Sequence, residues 1–306
     1  MDGILPVYKP AGMTSFDVIA QLRRLIHMKK IGHSGTLDPS VDGVLPIALG
    51  AATKAVPALM ALGKTYTGEV TLGFCTETED LDGAEVERVH LNQPFDETQV
   101  DAALASLTGT ITQVPPMFSA VKVNGRRLYE YARKGETVER PSRQVTVYSF
   151  KRTSELKFDA ESGVQTFTFE AKVSKGTYIR TLAVDVGRKL EVPAVMSQLT
   201  RIASGGFTLA QTLDLRELTP ETATQAVAEH LRPIEYAYGD LPLVALTADQ
   251  WDRVQHGRFL QLKQTTEKIG LTYQGVLKAV YQQADTLYRP DVMYLTNEGS
   301  PIDASH

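Results

Sequence analysis

The sequence predicts an α+β fold with a small β-rich domain at its C-terminal end, and three patterns carry that expectation. Residues 65–73 (TYTGEVTLG) and 166–173 (TFTFEAKV) alternate apolar and polar side chains with the period of strands. Residues 14–30 and 179–190 place apolar side chains three and four positions apart, the period of a helix. Beyond Pro242, short stretches rich in Val, Leu and Tyr are separated by glycine and polar turns. A chain of 306 residues accommodates one large domain and one small one. The boundaries are expected at 1–235 and 240–306, with Pro233 to Pro242 as the linker.

Each element has a local cause. In TSFDVIAQLRRLIHMKK (14–30), Thr14 or Ser15 can cap a helix whose apolar stripe is Val18, Ile19, Leu22, Leu25 and Ile26. Period two then sets Tyr66 on the strand face of Gly68, Val70 and Leu72, with its ring inward. The acidic stretch 77–88 reads as a solvated connection. Thr98 and Asp101 suit a capping box for a helix carrying Val100, Ala103, Leu104 and Leu107, with Gly109 as its stop. SAVKVNGRRLYEYARKG (119–135) reads as a hairpin turning at Asn124-Gly125, followed by a short helix. The strand at 166–173 runs into a stripe of Ile179, Leu182, Ala183, Val186 and Leu190, so Arg180 falls near a strand-to-helix junction. Pro220 suits the first turn of a helix from about 220 to 232.

Composition narrows the classes of function. A lone cysteine, Cys75, permits no internal disulfide and excludes a disulfide-stapled secreted fold. The N-terminus MDGILPVYKPAG has no basic run followed by a long apolar stretch, and no apolar run approaches the roughly 18 residues of a membrane helix. A cytoplasmic protein with no membrane contact is expected. The net charge of -4 is unevenly spread: residues 61–119 carry 2 Lys and Arg against 10 Asp and Glu, and residues 120–205 carry 16 against 9. In the basic segment, Arg126, Arg127, Arg133 and Lys134 interleave with Tyr129 and Tyr131, a pattern that suits an RNA backbone. A plain solvated hairpin is the alternative reading.

Familiar cofactor chemistries find no support. The histidines at 27, 33, 90, 230, 256 and 306 form no HxxxH pair, and one cysteine makes no thiolate metal site. GxxxxGK[ST], GxGxxG and GxSxG are all absent. No metal or cofactor is expected. What remains is a carboxylate, Asp38, in the loop GHSGTLDPSVDG (32–43). Pro39 restricts Asp38 to extended or turn geometry, and Gly32, Gly35 and Gly43 permit close chain approach. Alone, an Asp-Pro pair is ordinarily just a turn.

The loop does not stand alone. GHSGTLDP (32–39) with GVLPIALGAATK (43–54) resembles the catalytic signature of the bacterial tRNA pseudouridine-55 synthases, the TruB family. Four further matches follow it in kind: ILPVYKPAGMTS (4–15), KTYTGEVTLG (64–73), RRLYEYARKG (126–135) and SKGTYIRTL (174–182). The resemblance implies a pseudouridine-synthase fold with a mixed or antiparallel central sheet flanked by helices. It also implies isomerisation of the T-loop uridine at position 55 of tRNA, without cofactor. The N1–C1′ glycosidic bond breaks, the uracil reorients, and C5 joins C1′.

By that resemblance Asp38 is the catalytic aspartate, Arg180 the arginine that pairs with it, and Tyr66 the tyrosine that stacks on the uracil and assists loss of the C5 proton. His33 is expected beside the place vacated by the flipped base. Lys9 is expected to support the catalytic loop, Tyr178 and Leu199 to wall the pocket, and the basic segment 120–143, with Arg126 and Arg127, to clamp the T-arm. No obligate protein partner is implied, and a monomer is expected. Thr36 stands where many bacterial members have an alanine-like residue, Ser40-Val41-Asp42 also departs from the pattern, and the last 65 or so residues match only weakly. Two alternatives stay open: the same reaction on another RNA, and a noncatalytic RNA chaperone that opens the T-loop.

Overall fold

The computed structural model describes residues 1–299. They fall into two compact units, one made of Met1–Pro39, Gly43–Leu62 and the chain from Ala203, the other of Ser40–Asp42 and Gly63–Ile202. In the first unit β1 (Gly3–Lys9) leads to α1 (Ser15–Leu25), and β2 (Ile31–His33) precedes β3 (Asp42–Leu49). β3 is antiparallel to both β1 and β2. Pro6 of β1 lies directly opposite Pro46 of β3. Neither proline has an N–H, so the pair occupies a position where facing residues exchange no hydrogen bonds, which is where a strand tolerates proline. Thr14 caps α1 in a capping box with Asp17. The helix ends at Leu25 and not at Lys30, because His27 takes a left-handed φ of 51° that a helix cannot continue through.

The second unit is an ordered set of strands, β4 (Lys64–Leu72), β5 (Gly109–Gln113), β6 (Arg143–Arg152), β7 (Val164–Val173) and β8 (Ala194–Ser204), in the order β8-β4-β7-β6-β5. β7 pairs antiparallel with β4 and β6, and β6 with β5. Phe167, Phe169, Ala171 and Val173 of β7 are buried while Thr168, Glu170 and Lys172 face away, the alternation that the sequence predicts. Phe169 meets Phe150 edge to face, with ring centroids 5.3 Å apart. The two longer helices of this unit are α2 (Glu97–Ser106) and α3 (Ile179–Lys189). Asp96 caps α2 in a box with Gln99, two residues before the expected Thr98. The 77–88 stretch is only partly the solvated connection expected from its composition: Phe74–Thr76 pairs with Glu85–Arg88, and Thr78 and Asp80 are buried between them.

Beyond Leu213–Asp214, which pairs parallel with β1, the first unit continues with α4 (Pro220–His230), which has Pro220 in its first turn. Residues 233–242 do more than link, since Ile234–Tyr238 forms a 3₁₀ turn that buries Ile234 and Ala237. A four-stranded sheet follows, β9 (Leu243–Ala245), β10 (Lys268–Tyr273), β11 (Val276–Ala284) and β12 (Leu287–Met293), in sequential order. The predicted α+β class, with strands flanked by helices and a β-rich C-terminal part, is the fold observed. Residues 300–306 of the expected C-terminal domain, His306 included, lie outside the described residues. Both faces of β3 are covered: Leu45, Ile47 and Leu49 pack with Val18, Leu22 and Val227, and Val44 and Ala48 with Phe207, Ile234 and Leu277. That explains why β3 is apolar at successive positions and does not alternate. No described helix is long and apolar enough to cross a membrane.

Candidate active site

The loop that joins β2 to β3 is held from below by the end of β1. Lys9, the last residue of β1, is fully buried. Its ammonium donates to the carbonyls of Pro10 at 2.9 Å, Met13 at 2.6 Å and Pro39 at 3.3 Å. The Pro39 carbonyl also accepts from Gly12 N at 2.8 Å. On the other side of Asp38, Leu37 N donates to Ser15 Oγ at 2.9 Å, and Ser15 Oγ donates to Leu37 O at 3.4 Å. Both neighbours of Asp38 are therefore pinned, one by the end of β1 and one by the first residue of α1. The Asp38 Cα is located by its flanks, and its half-buried carboxylate is carried on a fixed backbone. His33, at the loop's start, accepts through Nδ1 from Gly35 N at 3.2 Å.

Tyr66, Tyr178, Arg180, Leu199, Arg126 and Arg127 belong to the second unit. Tyr66 is buried on β4, as period two predicts, and Leu199 lies on the neighbouring β8. Arg180 is the second residue of α3 and is 6% exposed. Its Nη1 donates to Thr78 O at 2.8 Å and its Nη2 to Phe118 O at 3.0 Å, while Nε lies 3.5 Å from Asp80 Oδ2. Asp80 is in turn fixed by Thr78 Oγ1, which donates to Oδ1 at 2.5 Å, and by Asp82 N at 3.1 Å. A planar guanidinium anchored at three nitrogens keeps its orientation. Beside it, Glu79 accepts from Thr181 Oγ1 at 2.6 Å, and burial pushes its carboxyl above the usual range. Tyr178 caps the same helix, and its backbone is clasped on both sides by the Gln113 amide, at 2.8 and 3.0 Å.

The basic hairpin is self-braced. Asn124 and Gly125 make the turn with φ of 50° and 82°, as an Asn-Gly hairpin requires. Leu128 and Tyr131 are buried and anchor the short helix that follows. Arg126 stacks on the Tyr131 ring at 4.1 Å and pairs with Glu136 at 2.8 Å. Arg127 and Arg133 lie over Tyr129 at 5.8 and 5.2 Å. These cation–π contacts hold charge and rings in one surface.

Two family models cover the chain from residue 23 to residue 238. One, described as TruB family pseudouridylate synthase (N terminal domain), matches residues 23–179; the other, tRNA pseudouridylate synthase B C-terminal domain, matches 180–238. The chain belongs to the TruB family of pseudouridylate synthases. It is 61% identical over 298 residues to the tRNA pseudouridine synthase B of Lacticaseibacillus paracasei, covering 97% of this chain and 99% of that protein. Identity to the Levilactobacillus brevis protein of the same name is 57% over 303 residues, 97% of this chain and all of that one. Among solved structures, the "Crystal Structure of a Cbf5-Nop10-Gar1 Complex" aligns with a TM-score of 0.70 at 25% identity, over 95% of this chain and 84% of that one. As a TruB-family member, the chain is a pseudouridine synthase.

Within this TruB-family chain, sequence reasoning missed the groups that hold the named side chains. Ser15 was legible only as a possible helix cap. Thr78, Glu79 and Asp80 were hidden in an acidic run whose composition resembles solvated surface. The available signal was Thr78 two residues before Asp80, a spacing that lets a hydroxyl satisfy a carboxylate turned inward.

Proposed function

We propose that the chain converts the uridine at position 55, in the T-loop of tRNA, to pseudouridine without a cofactor. The observation that carries this reading is the double pinning of the Asp38 loop at Leu37 and Pro39. Such a frame suits a carboxylate that must meet one atom of an everted nucleotide. Asp38 supplies the oxygen on which cleavage of N1–C1′ depends. Tyr66 offers its ring as a platform for the uracil and its hydroxyl for removal of the C5 proton, once C5 has joined C1′. The freed N1 ends protonated, so no atom is gained or lost. Arg180 supplies a fixed positive charge for the anionic centre, and Tyr178 and Leu199 bound the pocket.

His33 fills the space left by the flipped base, and Lys9 supports the loop. Arg126, Arg127 and the rest of 120–143 grip the T-arm backbone, where guanidinium and tyrosine together suit phosphate and exposed bases. Residues 1–235 form the catalytic domain and 240–306 a smaller RNA-binding-like one, working as a monomer in the cytoplasm. Incubating the purified protein with an unmodified tRNA transcript, then mapping pseudouridine by position, tests the assignment. Product at the T-loop uridine, and none when that uridine is replaced by cytidine, is expected. Product at other sites only, or tight binding with no product, would overturn it.

A further inference from the structure

Lys64, the first residue of β4, stands two positions before Tyr66 and so shares its strand face, roughly 7 Å away along the chain. It pairs across the sheet with Val173, two residues before Lys175. On the other side of β4 lies β8, which carries the fully buried Arg201. Three cations thus converge on one end of β4. The Lys64 ammonium makes no hydrogen bond or ion pair among the described residues. Burial first, and then the Arg201 and Lys175 charges, push its ammonium down to about 8. An ammonium in that setting is short of a counter-charge.

We propose that Lys64, with Lys175 beside it, binds a backbone phosphate of the substrate RNA next to the nucleotide that stacks on Tyr66. The proposal rests on the reading of the chain as an RNA-modifying enzyme and adds a binding residue to it. Phosphate is the chemistry that fits: an anion with several acceptor oxygens satisfies an ammonium without requiring a buried carboxylate of the protein. A phosphate seated there would also fix the register of the strand relative to the aromatic platform, as backbone contacts do elsewhere. The amine is compact and recessed at the start of a strand, so it reads position and not base identity.

The test compares wild type, Lys64→Gln, Lys64→Arg and, as a surface control, Lys157→Gln, using an unmodified T-arm stem–loop RNA. Binding is titrated across a salt series, and turnover gives KM and kcat. For Lys64→Gln the Kd and KM are expected to rise roughly fivefold, with the log Kd against log salt slope smaller by about one, as for loss of one phosphate contact. Lys64→Arg is expected to recover most of the affinity, and Lys157→Gln to match wild type. An unchanged Kd and salt slope in Lys64→Gln would overturn the proposal. So would a loss of kcat at unchanged KM that arginine fails to restore, which would mark a chemical role for the amine. If wild type binds the RNA but forms no pseudouridine, the proposed function fails while the binding series still decides the phosphate site.

Discussion

The Lys9 ammonium donates to the carbonyl of Pro39 at 3.3 Å, one residue beyond Asp38 and thirty residues along the chain from itself. With the contacts to Pro10 and Met13, that one side chain ties the end of β1, the turn after it and the Asp38 loop into a single frame. Lys9→Met keeps most of the stem and removes the donors. Three carbonyls then lose a charged partner, so stability is expected to fall by about 1–3 kcal/mol. A loop displaced by as little as about 1 Å can lower turnover a hundredfold, and kcat is expected to drop at least tenfold. Urea unfolding and steady-state kinetics at a temperature where the variant is folded measure both. A kcat within twofold of wild type would show that the loop keeps its place without Lys9.

Tyr66 separates two roles that one side chain can combine. Tyr66→Phe retains the ring on β4 and removes the hydroxyl, so RNA affinity is expected to stay within about threefold while kcat falls on the order of a hundredfold. Tyr66→Ala is expected to lose both. Full turnover by Tyr66→Phe would eliminate the hydroxyl from the proton step and leave the platform role standing.

Glu79 links the site to pH. Burial raises its carboxyl above the ordinary 4.5, against the opposing effects of the Thr181 hydrogen bond and of Arg180, Arg140 and Arg188. A carboxyl raised in the folded state binds its proton more tightly there than in the unfolded chain. Its contribution to stability is therefore complete below the unfolded value and is lost as pH climbs through the folded one. Glu79→Gln removes the titration and keeps an oxygen for the Thr181 hydroxyl. The stability of wild type relative to Glu79→Gln is expected to decline as pH rises from 4.5 through the raised value, and to level off above it. A difference that is flat with pH, or that grows in favour of wild type, would contradict the assignment.

Periodic and local signals were legible in the chain, and long-range satisfaction was not. Tyr66 and the buried face of β7 followed from period two, and the Asn124-Gly125 turn from the backbone that those residues accept. Arg180 was placed at its junction because a strand pattern met a helix pattern. Glu79 and Asp80 escaped because composition reports what an average acidic run does. This run turns inward to meet Arg180 and Thr181, a hundred residues later in the chain. The cap at Asp96 was missed for a smaller reason: Asp96 with Gln99 and Thr98 with Asp101 offer nearly equal chemistry two residues apart, and packing chose the first. His27 gave no warning of its left-handed backbone, and so the first helix read five residues too long.

Asp38→Asn is the most direct measurement. It replaces one carboxylate oxygen by an NH2 group on a loop whose flanking bonds, from Leu37 to the Ser15 hydroxyl and from Pro39 to Gly12 and Lys9, the change leaves in place. Rapid-mixing single-turnover assays with saturating enzyme, alongside Kd for the same unmodified tRNA, isolate the chemical step. The expected result is wild-type affinity within about threefold and a rate constant lowered by at least 10⁴-fold, which corresponds to about 5 kcal/mol of transition-state stabilisation. Pseudouridine formed by Asp38→Asn at a rate near that of wild type would contradict the claim that this carboxylate does the chemistry.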